Sequence, residues 1–282
     1  MAGEQGYLSL LDRVLREGED RPSRAGPVKG LFDVNLRFSL EDGTLPFLTV
    51  RKISPHIVIS ELLMFLRGRT DSRAELESKG VNIWKGNTAA TGGDLGPMYG
   101  YQWRHFGGEY RSAGDHDAGR DTWAELLDGL EKDPFSRRHI LTTLNMGQVH
   151  QGVLFPCHGV FIQFYVSNDR RLSLKMTQRS ADIFHGLPYN TASYSLLLHV
   201  VIHLLEARNC FFLPGTLSIS IGDAHLYANH EAAARALIER APLPSKARPA
   251  FYGRATCVEE LNFGVDGYSW RADPLPDAPF NA

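Results

Sequence analysis

The chain has 282 residues, 43% of them hydrophobic, enough to bury a full core in one domain spanning residues 1–282. A formal net charge of -2 excludes a generally basic nucleic-acid surface but permits a local cationic pocket, so the expected ligand is small and no nucleic acid is required. The three cysteines, Cys157, Cys210 and Cys257, show no CxxC spacing and point away from a disulfide framework and from any metal site, and with no leader-like N-terminus and no apolar run near ~18 residues the expected setting is soluble and cytoplasmic, the host cytoplasm if the source is viral.

Leu8, Leu11, Val14 and Leu15 share one face of a helix predicted over residues 7–16, which Glu17-Gly18-Glu19-Asp20-Arg21-Pro22 ends. Arg24 follows in a Pro- and Gly-containing loop flexible enough for a guanidinium to swing onto an anion. Phe32, Val34, Leu36, Phe38 and Leu40 alternate with polar residues, which predicts a half-buried strand ending at Asp42-Gly43. Ser54-Pro55 reads as N-cap and first position of a helix over residues 57–67, terminated by Gly68. Glu61 interrupts that apolar helix. A buried carboxylate costs several kcal/mol unless it is hydrogen-bonded or protonated, so a proton-handling role is expected of it.

Asn82-Ile83-Trp84 and a Gly/Thr/Ala-rich segment precede the aromatic block Leu95-Gly96-Pro97-Met98-Tyr99-Gly100-Tyr101-Gln102-Trp103-Arg104. A helix over 123–130 stops at Asp133-Pro134, and Arg137-Arg138 lead into a strand over 139–144. Strands over 160–166 and 171–178 flank Ser167-Asn168-Asp169-Arg170, a hairpin turn. Residues 192–205 form a long apolar helix, expected at the centre of the core. His199 and His203 lie four apart on it, but with no third ligand in view they read as packing residues. A strand over 216–221 delivers His225 and Tyr227, a helix follows over 230–240, and the Pro-rich residues 273–282 read as a tail or flap. Periodicity alone supports a mixed α and β fold.

Chemistry concentrates at Phe155-Pro156-Cys157-His158 and at Gln178-Arg179-Ser180-Ala181-Asp182, followed by Gly186-Leu187-Pro188-Tyr189-Asn190. Free cysteines are ordinarily small buried hydrophobes, but the polar run flanking this one exceeds what a core position needs. With Gly222-Asp223-Ala224-His225-Leu226-Tyr227 and the aromatic block, these motifs resemble the thymidylate synthase family, in the same order and over most of the chain.

The resemblance implies an α/β (α+β) fold with a large mixed twisted sheet backed by helices, and one-carbon transfer from 5,10-methylenetetrahydrofolate to C5 of dUMP. Cys157 would be the thiolate that adds to C6, dividing one high barrier into two lower ones, with its pKa lowered by cations such as Arg179. Glu61 and Tyr99 take the family's catalytic positions. Asn190 would read the uracil edge, as donor and acceptor, where cytosine-specific members carry aspartate. His225 and Tyr227 match the pair that holds the sugar hydroxyl. Arg24, Arg179 and Ser180 would hold the phosphate together with Arg137 and Arg138 of the partner subunit, which implies a homodimer. Trp84, Asp182, Gly186 and Arg51 would lie on the folate side.

Departures cluster there. His185 stands where the family has leucine, Arg24-Ala25-Gly26-Pro27 replaces Arg-Thr-Gly-Thr, and the chain ends Asp277-Ala278-Pro279-Phe280-Asn281-Ala282 in place of the usual apolar lid. A dry site favours hydride as the terminal reductant, so a polar His185 and altered lid lead to the expectation that water is admitted and that the product is 5-hydroxymethyl-dUMP, as in bacteriophage hydroxymethylases. Reductive methylation to dTMP is the alternative, and a non-catalytic nucleotide- or RNA-binding paralogue the reading from another class.

Overall fold

The computed structural model describes residues 3–280. In chain order the elements are α1 (Gly3–Glu17), β1 (Glu19–Arg21), β2 (Val28–Ser39), α2 (Pro55–Leu66), α3 (Ser72–Glu75), α4 (Gly100–Arg104), β3 (Tyr110–Ser112) and β4 (Asp115–His116). There follow α5 (Thr122–Lys132), β5 (Ile140–Leu141), β6 (Phe161–Val166), β7 (Arg171–Asp182), α6 (Gly186–Glu206), β8 (Leu213–Tyr227), α7 (Glu231–Ile238), β9 (Arg248–Phe251) and β10 (Phe263–Asp266). Six strands form one mixed sheet in the order β1-β2-β8-β7-β6-β5. Every neighbour in it is antiparallel except β7 and β8. That parallel pair needs a crossover, and α6 supplies it.

Period-two alternation puts Leu36, Ile162, Leu174, Met176, Leu217 and Ile219 on the sheet's inner face, where each is at most 1% exposed. Leu196, Leu197, Val200, Val201 and Leu204 of α6 are fully buried, and α6 packs on β7 and β8. Each such side chain contributes roughly 1.5–3 kcal/mol of burial, which fixes the helix against the sheet. At α2 the Ser54 side chain accepts from the Ile57 N–H, Pro55 occupies the first turn, and Gly68 takes a left-handed φ of 65° just past the end, as the capping residues predict.

Several boundaries differ from the sequence expectation. The long helix begins at Gly186, six residues before 192, because Pro188 falls in its first turn, where a missing N–H costs nothing. The strand over 216–221 extends to Leu213–Tyr227 through Gly222, whose added Cβ would lie 2.9 Å from the Arg179 carbonyl oxygen, so glycine there permits the close strand approach. The strand expected over 139–144 shrinks to Ile140–Leu141, beyond which the Thr142 and Thr143 hydroxyls donate to the Val160 and His158 carbonyls (2.8 Å each). Phe32 breaks the alternation and is 85% exposed, because Asp33 next to it takes a left-handed φ of 54°.

Candidate active site

The carboxyl ends of two parallel strands are where an α/β sheet leaves room for a ligand. Here the register pairs Ser180 with Asp223 and Asp182 with His225, so both polar runs reach one edge beneath the start of α6. The loop carrying Cys157 is pinned beside them, with Arg179 N–H donating to the Cys157 carbonyl at 2.9 Å and Val160 N–H to the Thr177 carbonyl at 3.1 Å. A cavity of about 1120 Å³ opens over these ends, lined by Cys157 and the residues that follow.

The Tyr99 hydroxyl lies 3.6 Å from the Cys157 Sγ and accepts the Cys157 backbone N–H at 3.3 Å. Tyr99 adopts φ 51°, a left-handed value for a residue with a Cβ. The conformation is held by its ring stacking on Phe65 (4.9 Å between centroids) and meeting the Trp84 edge (5.6 Å). The next residue must be glycine, since a Cβ on Gly100 would come within 2.0 Å of the Phe65 carbonyl oxygen. Burial pushes the Tyr99 hydroxyl well above its ordinary range, so it keeps its proton and can donate to a thiolate.

The thiol itself departs from expectation. Burial pushes the Cys157 pKa up, against the Tyr99 hydrogen bond and the charge of Arg179, which both pull it down. Arg179 is present but turned to other work: its Nε donates to the Pro156 carbonyl at 2.9 Å, its Nη2 to the Phe155 carbonyl at 2.6 Å, and its guanidinium sits 5.0 Å over the Phe155 ring. Burial thus favours the neutral thiol over the thiolate. His158, its neighbour in sequence, supplies no base. Its Nδ1 pairs with the Tyr194 hydroxyl at 3.0 Å, and burial pushes its pKa down to about 3.

Glu61 behaves as a buried carboxyl should. Burial pushes it up to about 7 while the Trp84 indole N–H, donating at 2.8 Å, pulls it down. Near neutral pH it can both give and take a proton. Asn190, in the first turns of α6, is 8% exposed and lines the cavity, with no hydrogen bond from its amide to the described protein. Its amide is thus kept for a ligand edge.

The expected anion end holds Arg24, Arg179 and Ser180, with His225 and Tyr227 beside them. Sequence reasoning passed over Arg21, which lines the same wall and bonds Asp223 at 2.6 Å. Asp223 in turn meets His225 Nδ1 at 3.0 Å, and these two partners, His225 first and Arg21 second, hold its carboxyl below the usual range against burial. The chain Arg21–Asp223–His225 leaves the far nitrogen of the imidazole for the ligand. The available signal was a second arginine three residues before Arg24, at the end of β1.

On the opposite side Asp182 accepts the Phe184 and His185 N–H groups with one oxygen (2.9 and 3.1 Å), leaving the other for a donor in the cavity. Gly186, Trp84, His185 and Phe280 line the same region. His185 is half-buried in the cavity lining, and its Nε2 is 2.9 Å from the Ala278 carbonyl, so one of its two ring nitrogens is committed to the tail. Asn281 and Ala282, part of the altered lid, lie outside the described residues.

Three expected site residues are not brought to this cavity. Arg51 donates to the Phe184 carbonyl and stands 4.6 Å over the Phe184 ring, so it braces the residue before His185 from outside the cavity lining. Arg137 and Arg138 are exposed in the turn before β5. His203 stacks on Phe251 at 4.1 Å, and burial pushes His199 down to about 4, both in packing positions. Among the described residues no cluster of His, Cys, Asp or Glu could hold a metal ion, and no helix is long and apolar enough to cross a membrane.

A family model described as thymidylate synthase matches residues 5–262. Similar proteins include "Thymidylate synthase 1/2" of Encephalitozoon cuniculi, 41% identical over 85% of this chain and 83% of the relative. The thymidylate synthase of Agaricus bisporus is 38% identical over 95% and 96%, and that of Saccharomyces cerevisiae 39% over 86% and 84%. These relatives are eukaryotic synthases by name, and nothing in them supports a bacteriophage hydroxymethylase. With its sheet, thiol and cavity as described, the chain belongs to the thymidylate synthase family.

Proposed function

We propose that the protein is a thymidylate synthase that reductively methylates C5 of dUMP to give dTMP, rather than the hydroxymethylase that the altered lid had led us to expect. The observation that carries this reading is the Cys157 thiol, 3.6 Å from the Tyr99 hydroxyl and opening onto a cavity shared by Asn190 and the Arg21, Arg24 and Arg179 side chains. Asn190 pairs with the O4 and N3 edge of uracil, where its two-sided amide suits a donor and an acceptor side by side. His225 and Tyr227 take the sugar hydroxyl, and the arginines take the phosphate by charge-assisted hydrogen bonds. Phosphate entering beside Arg179 competes with the two carbonyls that now hold its guanidinium.

Once the Cys157 thiol has lost its proton, a state that Tyr99 and Arg179 favour, its attack on C6 forms an S–C bond, breaks the C5–C6 π bond and moves that electron pair to O4, where Asn190 can donate. Tyr99 solvates the sulfur in its charged state, and Glu61, poised near neutrality, manages the proton at the O4 and C5 side. The residues fit a folate: the cavity exceeds what a nucleotide needs, Trp84 and Ile83 offer an apolar wall, and Asp182 keeps one carboxylate oxygen for a pterin N–H. Bound there, methylenetetrahydrofolate supplies the one-carbon unit and the hydride. His185 is bonded to the tail, Phe280 lines the cavity while 64% exposed, and it is the relatives named thymidylate synthase that favour hydride over hydration as the last step.

A homodimer is part of this reading. Ile140, Phe161 and Tyr165 lie 48%, 40% and 63% exposed on the sheet's outer face, an apolar surface suited to a second copy. Arg137 and Arg138 of the partner subunit would complete the phosphate site. Incubation with 5-fluoro-dUMP and methylenetetrahydrofolate tests the nucleophile: a covalent adduct on the peptide containing Cys157 is expected, and an unmodified protein that merely binds nucleotide would sink the assignment.

A further inference from the structure

The tail after β10 carries three prolines between residues 273 and 280 and forms no helix or strand. A segment that cannot donate regularly from its own backbone must be held by donors from elsewhere. Its first part is held by arginines: Arg240 donates to the Asp273 and Pro274 carbonyls (2.7 and 2.9 Å), and the Arg271 side chain ties back to the Ala241 carbonyl at 2.6 Å. Its last described part is held differently. His185 Nε2 meets the Ala278 carbonyl at 2.9 Å, and His230 Nε2 meets the very next carbonyl, Pro279, at 2.7 Å.

A carbonyl can only accept, so both rings must carry hydrogen on Nε2. For His230 the geometry agrees, since its Nδ1 is buried with no partner among the described residues. The rings meet edge to face at 4.7 Å, and Phe280, 64% exposed, sets its ring edge-on to His185 at 6.0 Å and lines the cavity. His185 is also joined to the site from its other end, through its backbone N–H on Asp182.

We infer that His185 and His230 form a paired latch, two ring N–H donors gripping consecutive tail carbonyls, and that His185 is a positioning residue which holds Phe280 in the folate side of the cavity. The folate half of this inference rests on the function proposed above; the latch does not. The site thus contains a closure element held in place by the chain's own side chains, and the histidine that breaks the family's leucine pattern has a mechanical purpose.

The test compares wild type, His185→Leu and His185→Gln. Hydrogen–deuterium exchange without ligand should be faster in His185→Leu over a peptide spanning residues 268–280, with peptides from α6 unchanged. His185→Gln, which keeps a side-chain N–H, should exchange like wild type. In steady-state assays His185→Leu should raise the KM for methylenetetrahydrofolate about fivefold, the worth of one neutral hydrogen bond, with the KM for dUMP unmoved and with recovery in His185→Gln. Wild-type exchange in the leucine variant, or no recovery by glutamine, overturns the latch. If the wild type makes no dTMP, the proposed function fails on its own while the exchange arms still decide the latch.

Discussion

Replacing Glu61 by glutamine should make the protein more stable and less active at once. The carboxyl is pushed by burial from its ordinary 4.5 to about 7, and a hydrogen bond from the Trp84 indole opposes this. A carboxyl with a raised folded-state pKa favours folding fully below its unfolded pKa, and that contribution is lost as pH rises through the folded value. Between pH 4.5 and 7 the native state therefore holds a proton that the unfolded chain has released, and above 7 the buried charge is at its most costly. A gap of about 2.5 units at ~1.4 kcal/mol each is roughly 3 kcal/mol. Glutamine keeps the acceptor for Trp84 and carries no charge. Urea unfolding of wild type and Glu61→Gln at fixed protein concentration, from pH 5 to 8.5, should show the variant gaining roughly 3 kcal/mol relative to wild type across that range, with kcat down by about 10²–10⁴-fold. Other titrating groups cancel in the difference. A stability difference that does not change with pH would refute the raised pKa and with it the proton-handling role.

Asn190→Asp should lower kcat/KM on dUMP by roughly ten- to a hundredfold, the cost of mismatched buried hydrogen bonds, and raise activity on dCMP; competition assays with both nucleotides read this directly. Asp223→Asn should weaken dUMP more than a nucleotide lacking the 3'-hydroxyl, because it frees His225 from the bond that orients it; equal losses on both would place Asp223 outside sugar recognition. Mixing Cys157→Ser with Arg138→Ala subunits should restore about a quarter of wild-type activity, since half of random dimers carry one complete site of two. No recovery would remove Arg138 from the partner's site.

The fold was legible where pattern and capping agreed. Ser54-Pro55 and Gly68 bounded α2 to within two residues, alternation found the inner face of β2 from Val34 to Phe38, and the hairpin of β6 and β7 stands where it was expected. It failed where a local backbone choice overrode the pattern. The left-handed Asp33 turned Phe32 outward, and the helix expected from 192 starts at Gly186, with a proline in its first turn. In the site, Cys157, Glu61, Tyr99, Asn190 and Asp182 were legible by residue type and resemblance, and the cavity gathers them. What composition could not show was commitment. Arg179 is held by two carbonyls, Arg51 by Phe184, and His185 by the tail. Such bonds join residues tens of positions apart, so no local window contains them. They also give His185 a partner, the Ala278 carbonyl 93 positions along the chain, that residue type alone does not show.

The most direct test of the account is the product itself. Enzyme with dUMP and methylenetetrahydrofolate, followed by mass spectrometry of the nucleotide and absorbance of the folate, should give dTMP and dihydrofolate in equal amounts. Hydroxymethyl-dUMP with tetrahydrofolate would contradict it, and would show that water reaches the site despite the latched tail.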